Sequence, residues 1–170
     1  MAQKQLRDAV LKILDGTGTP QEVEVGIGTG NISWTETFPK EYIPERGVIA
    51  DGTVREADQE PCEVTVTCTW HNILSTGSED ITPYEALRGV GAAATATWLT
   101  TGADACEPYA VDLQIFTINA ACMTVGTVGE RITFTEFRVE NCSFDIGAGT
   151  LNFTGKCKNV SPNTVRTTTS

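Results

Sequence analysis

The residues from Cys62 to His71 alternate without a break. Cys62, Val64, Val66, Cys68 and Trp70 lie on one side, and Glu63, Thr65, Thr67, Thr69 and His71 on the other. An amphipathic helix would repeat its apolar positions every three or four residues. Period two over this length instead demands an antiparallel sheet with one face on a core and the other in water. The wet face is a row of threonines.

Val111 to Ile118, Arg131 to Glu140 and Thr150 to Cys157 read as further strands. The last sets Leu151, Phe153 and Cys157 against Thr150, Asn152, Thr154 and Lys156. Within 131 to 140 the apolar parity switches from Ile132 and Phe134 to Phe137 and Val139, which predicts an inserted residue, a bulge, near Thr135 or Glu136. Ala9 to Leu14 fits either a helical face or a strand. Its neighbours favour a hairpin, because Asp15-Gly16 is a turn signal and Glu22 to Ile27 alternates beyond it. Asn31 to Thr37 also reads as extended, with Ile32 and Trp34 opposite Ser33 and Thr35.

One short helix, about 82–90, is signalled by Thr82 as cap, Pro83 at the first position, Glu85 completing a capping box and Gly89 at the exit. Tyr84, Leu87 and Val90 would pin it to the sheet. The expected fold is mainly β: an antiparallel β-sandwich or partly open β-barrel of about seven strands with one flanking helix.

With 170 residues and 18.2 kDa, the chain is expected to be a single domain over 1–170. Its formal charge of −10 argues against a module that grips nucleic acid, because phosphate binding is driven by cations. No stretch reaches the roughly 18 apolar residues of a membrane span, and MAQKQLRD has no apolar signal core behind it, so a cytosolic product is expected. The six cysteines form no CxxC pair and accompany a single histidine. They are expected as reduced, small hydrophobes rather than zinc ligands or a disulfide framework. Sequons at Asn31, Asn141 and Asn152 are read as chance in a threonine-rich chain.

Glu36 to Glu63 breaks the strand pattern. It holds eight acids against three bases, a net −5, and three of the seven prolines, Pro39, Pro44 and Pro61. That is long for a hairpin loop, so residues 36–61 are expected to form an extended docking arm, ordered only when docked. Phe38, Tyr42, Ile43, Val48 and Ile49 would offer a partner apolar surface to bury. From Thr150 onward the chain has Lys156, Lys158 and Arg166 with no acid, which makes it the complementary surface expected on an identical neighbour. Residues 158–170 are expected as a polar tail.

Enzyme readings do poorly. Gly26-Ile27-Gly28-Thr29-Gly30 lacks the third glycine and following helix of a nucleotide loop. His71 is the one possible imidazole base and ends a threonine strand. Glu56 and Asp58 have no pocket argued for them, and the spacing at Asp51-Gly52 is wrong for calcium. Trp34, Trp70 and Trp98 read as core. No catalytic residue, cofactor or metal is expected.

Several blocks, in order, resemble the tail tube (major tail) proteins of long-tailed bacteriophages, of the non-contractile, siphovirus type. They are Asn31-Ile-Ser-Trp-Thr-Glu36, Glu41-Tyr42, Glu45-Arg46-Gly47, Val54 to Pro61, Ala105 to Asp112 and Ala148 to Cys157. The resemblance implies a structural virion protein whose hexameric rings join strands into an inner β-barrel. The rings would stack into a hollow tube around a tape measure protein, between tail terminator and tail tip proteins. DNA would pass without specific binding, the protein would sit in the virion tail, and assembly would take place in the host cytoplasm. It also implies that the long loop reaches the adjacent ring, which makes Arg46, Asp51, Arg55, Glu56 and Asp58 candidate contacts. Glu63, Thr65, Thr67 and Thr69 are candidates for a lumen wall, expected to be anionic so that a genome slides. The alternative is a carbohydrate-binding or adhesin-type β-sandwich, which would use exposed aromatics.

Overall fold

A computed structural model describes residues 10–26, 30–69, 81–94, 98–116 and 128–168. Among the described residues ten strands, one α-helix and one turn of 3-10 helix follow in chain order: β1 (Val10–Leu14), β2 (Glu22–Val25), β3 (Asn31–Thr35), β4 (Lys40–Glu45), β5 (Val48–Glu56), β6 (Glu63–Thr69), α1 (Pro83–Arg88), the 3-10 turn (Gly91–Ala94), β7 (Val111–Phe116), β8 (Val128–Asp145), β9 (Thr150–Lys156) and β10 (Asn163–Thr168). All pairings are antiparallel, and the main sheet runs β2-β1-β7-β8-β9-β6-β3, with β10 also on β8.

The 18-residue β8 joins the two halves of this sheet. Its first half pairs with β7 and β10, and its second half with β9. The expected bulge lies where the parity switch put it: Leu113 faces Phe134 and Val111 faces Phe137, so Thr135 and Glu136 together oppose Asp112. Glu136 has a positive φ of 49°, and its N–H donates to Asp112 Oδ1 at 2.9 Å. A second shift leaves Glu140 extra between Val139 and Asn141. Bulges bend a strand and sharpen its twist, which lets one strand serve both halves around a shared core. In that core Phe134 meets Trp34 edge-on at 5.5 Å, and Phe137 meets Phe153 at 6.0 Å.

The alternating strand is as expected through Thr69: Cys62, Val64, Val66 and Cys68 are fully buried. Trp70 and His71 lie outside the described residues, as do Cys122 and most of the Gly26 to Gly30 segment. Cys62, Cys68, Cys106, Cys142 and Cys157 are unpaired thiols. Burial pushes Cys68 up to about 11 and Cys157 to about 12, which keeps them protonated and unreactive.

Helix α1 has the expected cap. Glu85 N–H donates to Thr82 Oγ1 at 3.2 Å, and Glu85 Oε2 accepts from Thr82 N–H at 3.1 Å. Sequence reasoning missed that Glu85 is buried and also accepts the Ala92 N–H, tying the helix to the turn that follows. Tyr109 closes the same corner. Its hydroxyl donates to Ala86 O and accepts from Trp98 Nε1, both at 2.6 Å, and burial pushes its pKa up to about 12.

The structure changes two expectations. Residues 36–61 are not an unstructured loop: β4 and β5 pair into a separate two-stranded ribbon. Residues 158–170 are not merely a tail, because β10 lies along the edge of β8 from Asn163–Thr133 to Thr168–Val128. Threonines and asparagine carried no apolar rhythm from which to read it.

Candidate assembly surfaces

The ribbon is built by local rules. Arg46 and Gly47 have φ of 50° and 81°, and the Glu45–Val48 pair closes around them. Positive φ at both central residues is the turn that matches strand twist, and glycine adopts it freely. Pro44 has no N–H for the ladder, and the register shifts beside it between Ile43 and Glu45. Lys40 bonds Glu56 across the strands, and Arg55 Nε donates to Glu41 Oε2 at 2.6 Å.

Arg55 and Glu56, candidates for contacts with another subunit, therefore already hold intramolecular partners. Arg46 occupies the turn, and Asp51 and Asp58 are exposed. The apolar residues singled out from sequence all stay exposed: Phe38, Tyr42 (60%), Ile43, Val48 and Ile49 (68%), joined by Val54. Every ribbon residue from Lys40 to Glu56 is exposed apart from Gly52, which is half-buried. An isolated two-stranded hairpin is only marginally stable in water.

At the ribbon's root, Glu36 accepts from Trp34 Nε1 at 3.0 Å and from Ser161 Oγ at 2.8 Å, and Ala57 N–H donates to Pro39 O at 3.0 Å. A cleft of about 240 Å³ lies between the root and the C-terminal strap, residues 157–162 between β9 and β10, and is lined by Phe38, Pro39, Ala57 and Val160 among others.

The strap is held by a charge cluster. Glu107 takes Arg138 at 2.8 Å and Lys158 at 2.9 Å, and Glu136 takes Arg138 at 3.2 Å and Lys158 at 3.3 Å. Lys158, expected to meet a neighbouring copy, is thus engaged within the chain, and Lys156 lies 3.8 Å from Glu140. The Lys158 hydrogen bond holds the Glu107 carboxyl below its ordinary 4.5, and the Glu107 hydrogen bond raises Lys158 above 10.5. The Glu107 contribution to stability is complete above pH 4.5 and is lost as pH falls through its lowered value. That of Lys158 is complete below pH 10.5 and is lost as pH rises through its raised value. Thermal melts should be level through neutral pH and fall at both extremes. Glu107→Gln should flatten part of the acid limb, and an unchanged acid limb would remove this cluster from the account.

The candidate wall residues sit on the outward face of β3, β6, β9 and the second half of β8. Register aligns two rows across it, Ser33-Thr65-Thr154-Asn141 and Asn31-Thr67-Asn152-Ser143. Thr69 and Thr150 follow, with Asp145 at the margin. At the opposite end Glu63 lies beside Lys156 and Arg138. The two middle rows of this face hold no charge; Glu63, Lys156 and Arg138 stand in the row at one end and Asp145 in the row at the other. All three sequons fall here. Successive odd positions of a strand share a face, so an Asn and the Ser or Thr two residues later are neighbours whenever that face is polar.

Among the described residues, β3 pairs with β6 alone and the second half of β8 with β9 alone, so both outer edges of this four-stranded half carry unpaired backbone groups. The ribbon leaves from its Thr35–Glu63 end, and the β8–β9 turn, with Ile146 86% exposed, marks the other end. No group of three or more His, Cys, Asp or Glu suited to a metal occurs among the described residues, and no described helix is long and apolar enough to cross a membrane.

No family model matches the chain, and no curated protein matches its sequence. Among solved structures, its fold is similar to that of the sheath/tube terminator of an extracellular contractile injection system (PVC) in the extended state. The TM-score is 0.55 at 6% identity, covering 98% of each chain. The likeness is one of fold, it spans the whole chain, and it is to a component of a contractile apparatus rather than a non-contractile tail.

Proposed function

We propose that this chain is a structural subunit of a tail-like injection apparatus. Copies close sideways through the β3 and β8 edges into hexameric rings, and the rings stack through the β4–β5 ribbon into a hollow tube. A tape measure protein fills the tube during assembly, DNA later passes through it, and terminator and tip proteins close its ends.

The observation that carries this reading is a ribbon exposed on both faces that stands off a sheet with two open edges. Burying one large apolar side chain contributes about 1.5–3 kcal/mol before the cost of association. The ribbon has several to offer, on a chain whose net charge otherwise favours separation. The whole-chain fold likeness supports the same reading.

Negative-stain microscopy of the purified full chain tests it. Stacked rings or tubes are expected, and a persistent monomer that binds a glycan array would favour the adhesin alternative. The fold likeness also favours a second reading, a subunit of one ring that closes a tube's end. Single rings that never stack would select it.

Arg55→Glu should shorten tubes, because it reverses a charge in the stacking element. The intraribbon pair is worth only about 0.2–1 kcal/mol, as exposed pairs are. The swap Arg55→Glu with Glu41→Arg restores that pair and should still give short tubes. Recovery of wild-type length would confine the role of Arg55 to its own ribbon.

A further inference from the structure

The half-sheet of β3, β6, β9 and the second half of β8 carries an apolar projection at one end and an apolar recess at the other. The projection is the β8–β9 turn, with Ile146 86% exposed. The turn itself is fixed: Ala148 N–H donates to Asp145 Oδ1 at 3.0 Å, and Gly149 has a φ of 63°. A single exposed isoleucine is ordinary. What sets this one apart is its counterpart, the cleft between ribbon root and strap, with Phe38, Pro39, Ala57 and Val160 as apolar lining and Thr37 and Gln59 as polar lining. A cavity of about 150 Å³ already holds a benzene-sized group, so about 240 Å³ has room for an isoleucine side chain and part of its turn. It is smaller than the roughly 300–1,000 Å³ of small-molecule sites.

Register sets the two apart. The Glu63–Lys156 row lies beside the root and the Thr69–Thr150 row beside the turn, six residues or about 20 Å along the strands. Ile146 therefore cannot enter the cleft of its own chain. Charge follows the same division. Next to the turn, Tyr84 packs on Phe144 at 5.4 Å, and Arg88 lies over the Tyr84 ring at 5.8 Å. Among the described residues Arg88 makes no ion pair, and neither do Asp58 and Glu60, which are exposed beside the cleft. The root-end cations Lys40, Lys156 and Lys158 are already matched by Glu56, Glu140 and Glu107. Asp145, the acid of the turn, is drawn back onto the Ala148 N–H.

We infer that Ile146 of one copy of this chain seats in the root cleft of another, head to tail, with Arg88 brought toward Asp58 and Glu60. The inference rests on the stacking reading above and deepens it by naming a second contact of the joint. Copies that close sideways through the β3 and β8 edges leave their strand ends as the two faces of a ring, one bearing Ile146 and the other the clefts. A projection and a recess at different places on one body make a heterologous contact, which repeats without closing and builds a stack rather than a pair. The ribbon then supplies the reach of the joint, and the turn supplies its register.

Ile146→Asp in the full chain tests the contact. Its melting temperature should stay at the wild-type value, because the side chain is exposed, while the protein concentration needed for stacked particles should rise about tenfold or more. Ile146→Val keeps a branched apolar tip and should stack like wild type. Stacking by Ile146→Asp at the wild-type concentration overturns the inference.

Ile146→Cys with Val160→Cys tests the position. A Cys106→Ser, Cys122→Ser background removes the exposed thiol and the one outside the described residues. Oxidation by copper–phenanthroline in air should give a ladder of covalent multimers on a non-reducing gel. Either new cysteine alone should give no ladder, and a mixture of the two single-cysteine chains should stop at dimers. Stacked particles of the double-cysteine chain without a ladder would give the cleft to another occupant, overturning the seat while leaving stacking in place. A wild-type chain that stays monomeric defeats the stacking reading itself, and the seat with it.

Discussion

Excising Lys40 to Glu56 and joining Pro39 to Ala57 through Asn-Gly should abolish tubes while leaving the domain folded. The two ends already meet through the Ala57 to Pro39 hydrogen bond, so a two-residue turn spans them. No core residue lies between Lys40 and Glu56, so the deletion opens no cavity. The melting temperature should move by no more than about 3 °C, the effect of roughly 1 kcal/mol in a chain of this size. Stacked particles should disappear under the microscope, and single rings should persist if lateral closure uses the sheet edges. Tubes of normal length from the deletion would transfer stacking to another surface. A collapsed melt would make the ribbon part of the core.

Gly155→Val should be the most damaging single substitution in the sheet. A Cβ at Gly155 would lie 2.1 Å from the Arg138 carbonyl oxygen and 2.7 Å from the Phe137 ring. Both belong to β8 where it bends between its two bulges, so neither moves without disturbing the strand that joins the halves. Overpacking of this kind costs about 3 kcal/mol or more, a fall in melting temperature of roughly 6–12 °C. Gly18→Ala, with open space around the new methyl group, is the control and should melt like wild type. A Gly155→Val protein that melts normally would mean that β8 and β9 approach less closely than described.

Where side chains alternate, the sequence is a direct record of burial, and β6, β9 and β8 from Arg131 to Glu140 were legible for that reason, while the continuation of β8 to Asp145 was not. The bulge at Thr135 and Glu136 was legible because an inserted residue inverts parity. The cap of α1 was legible because capping uses few residue types at fixed spacing. The ribbon was not, since strands exposed on both faces need no alternation, and the Glu45-Arg46-Gly47-Val48 turn lacks the usual Asn-Gly or Asp-Gly. β10 was hidden by a polar sequence whose pairing is a matter of backbone. The distribution of charge over the sheet was not legible either. Whole-chain charge says nothing about its distribution, and only cross-strand register revealed that threonines, serines and asparagines align into unbroken rows.

The root of the ribbon has a mechanical consequence. Glu36 grips the Trp34 indole on one side and Ser161 on the other, and the Trp34 ring rests edge-on against Phe134. Tension applied to the ribbon therefore reaches the aromatic packing of Trp34 on Phe134 through the Glu36 hydrogen bond. A chain of such units would transmit an axial pull from one body to the next as a stiff link, stretching little before it breaks.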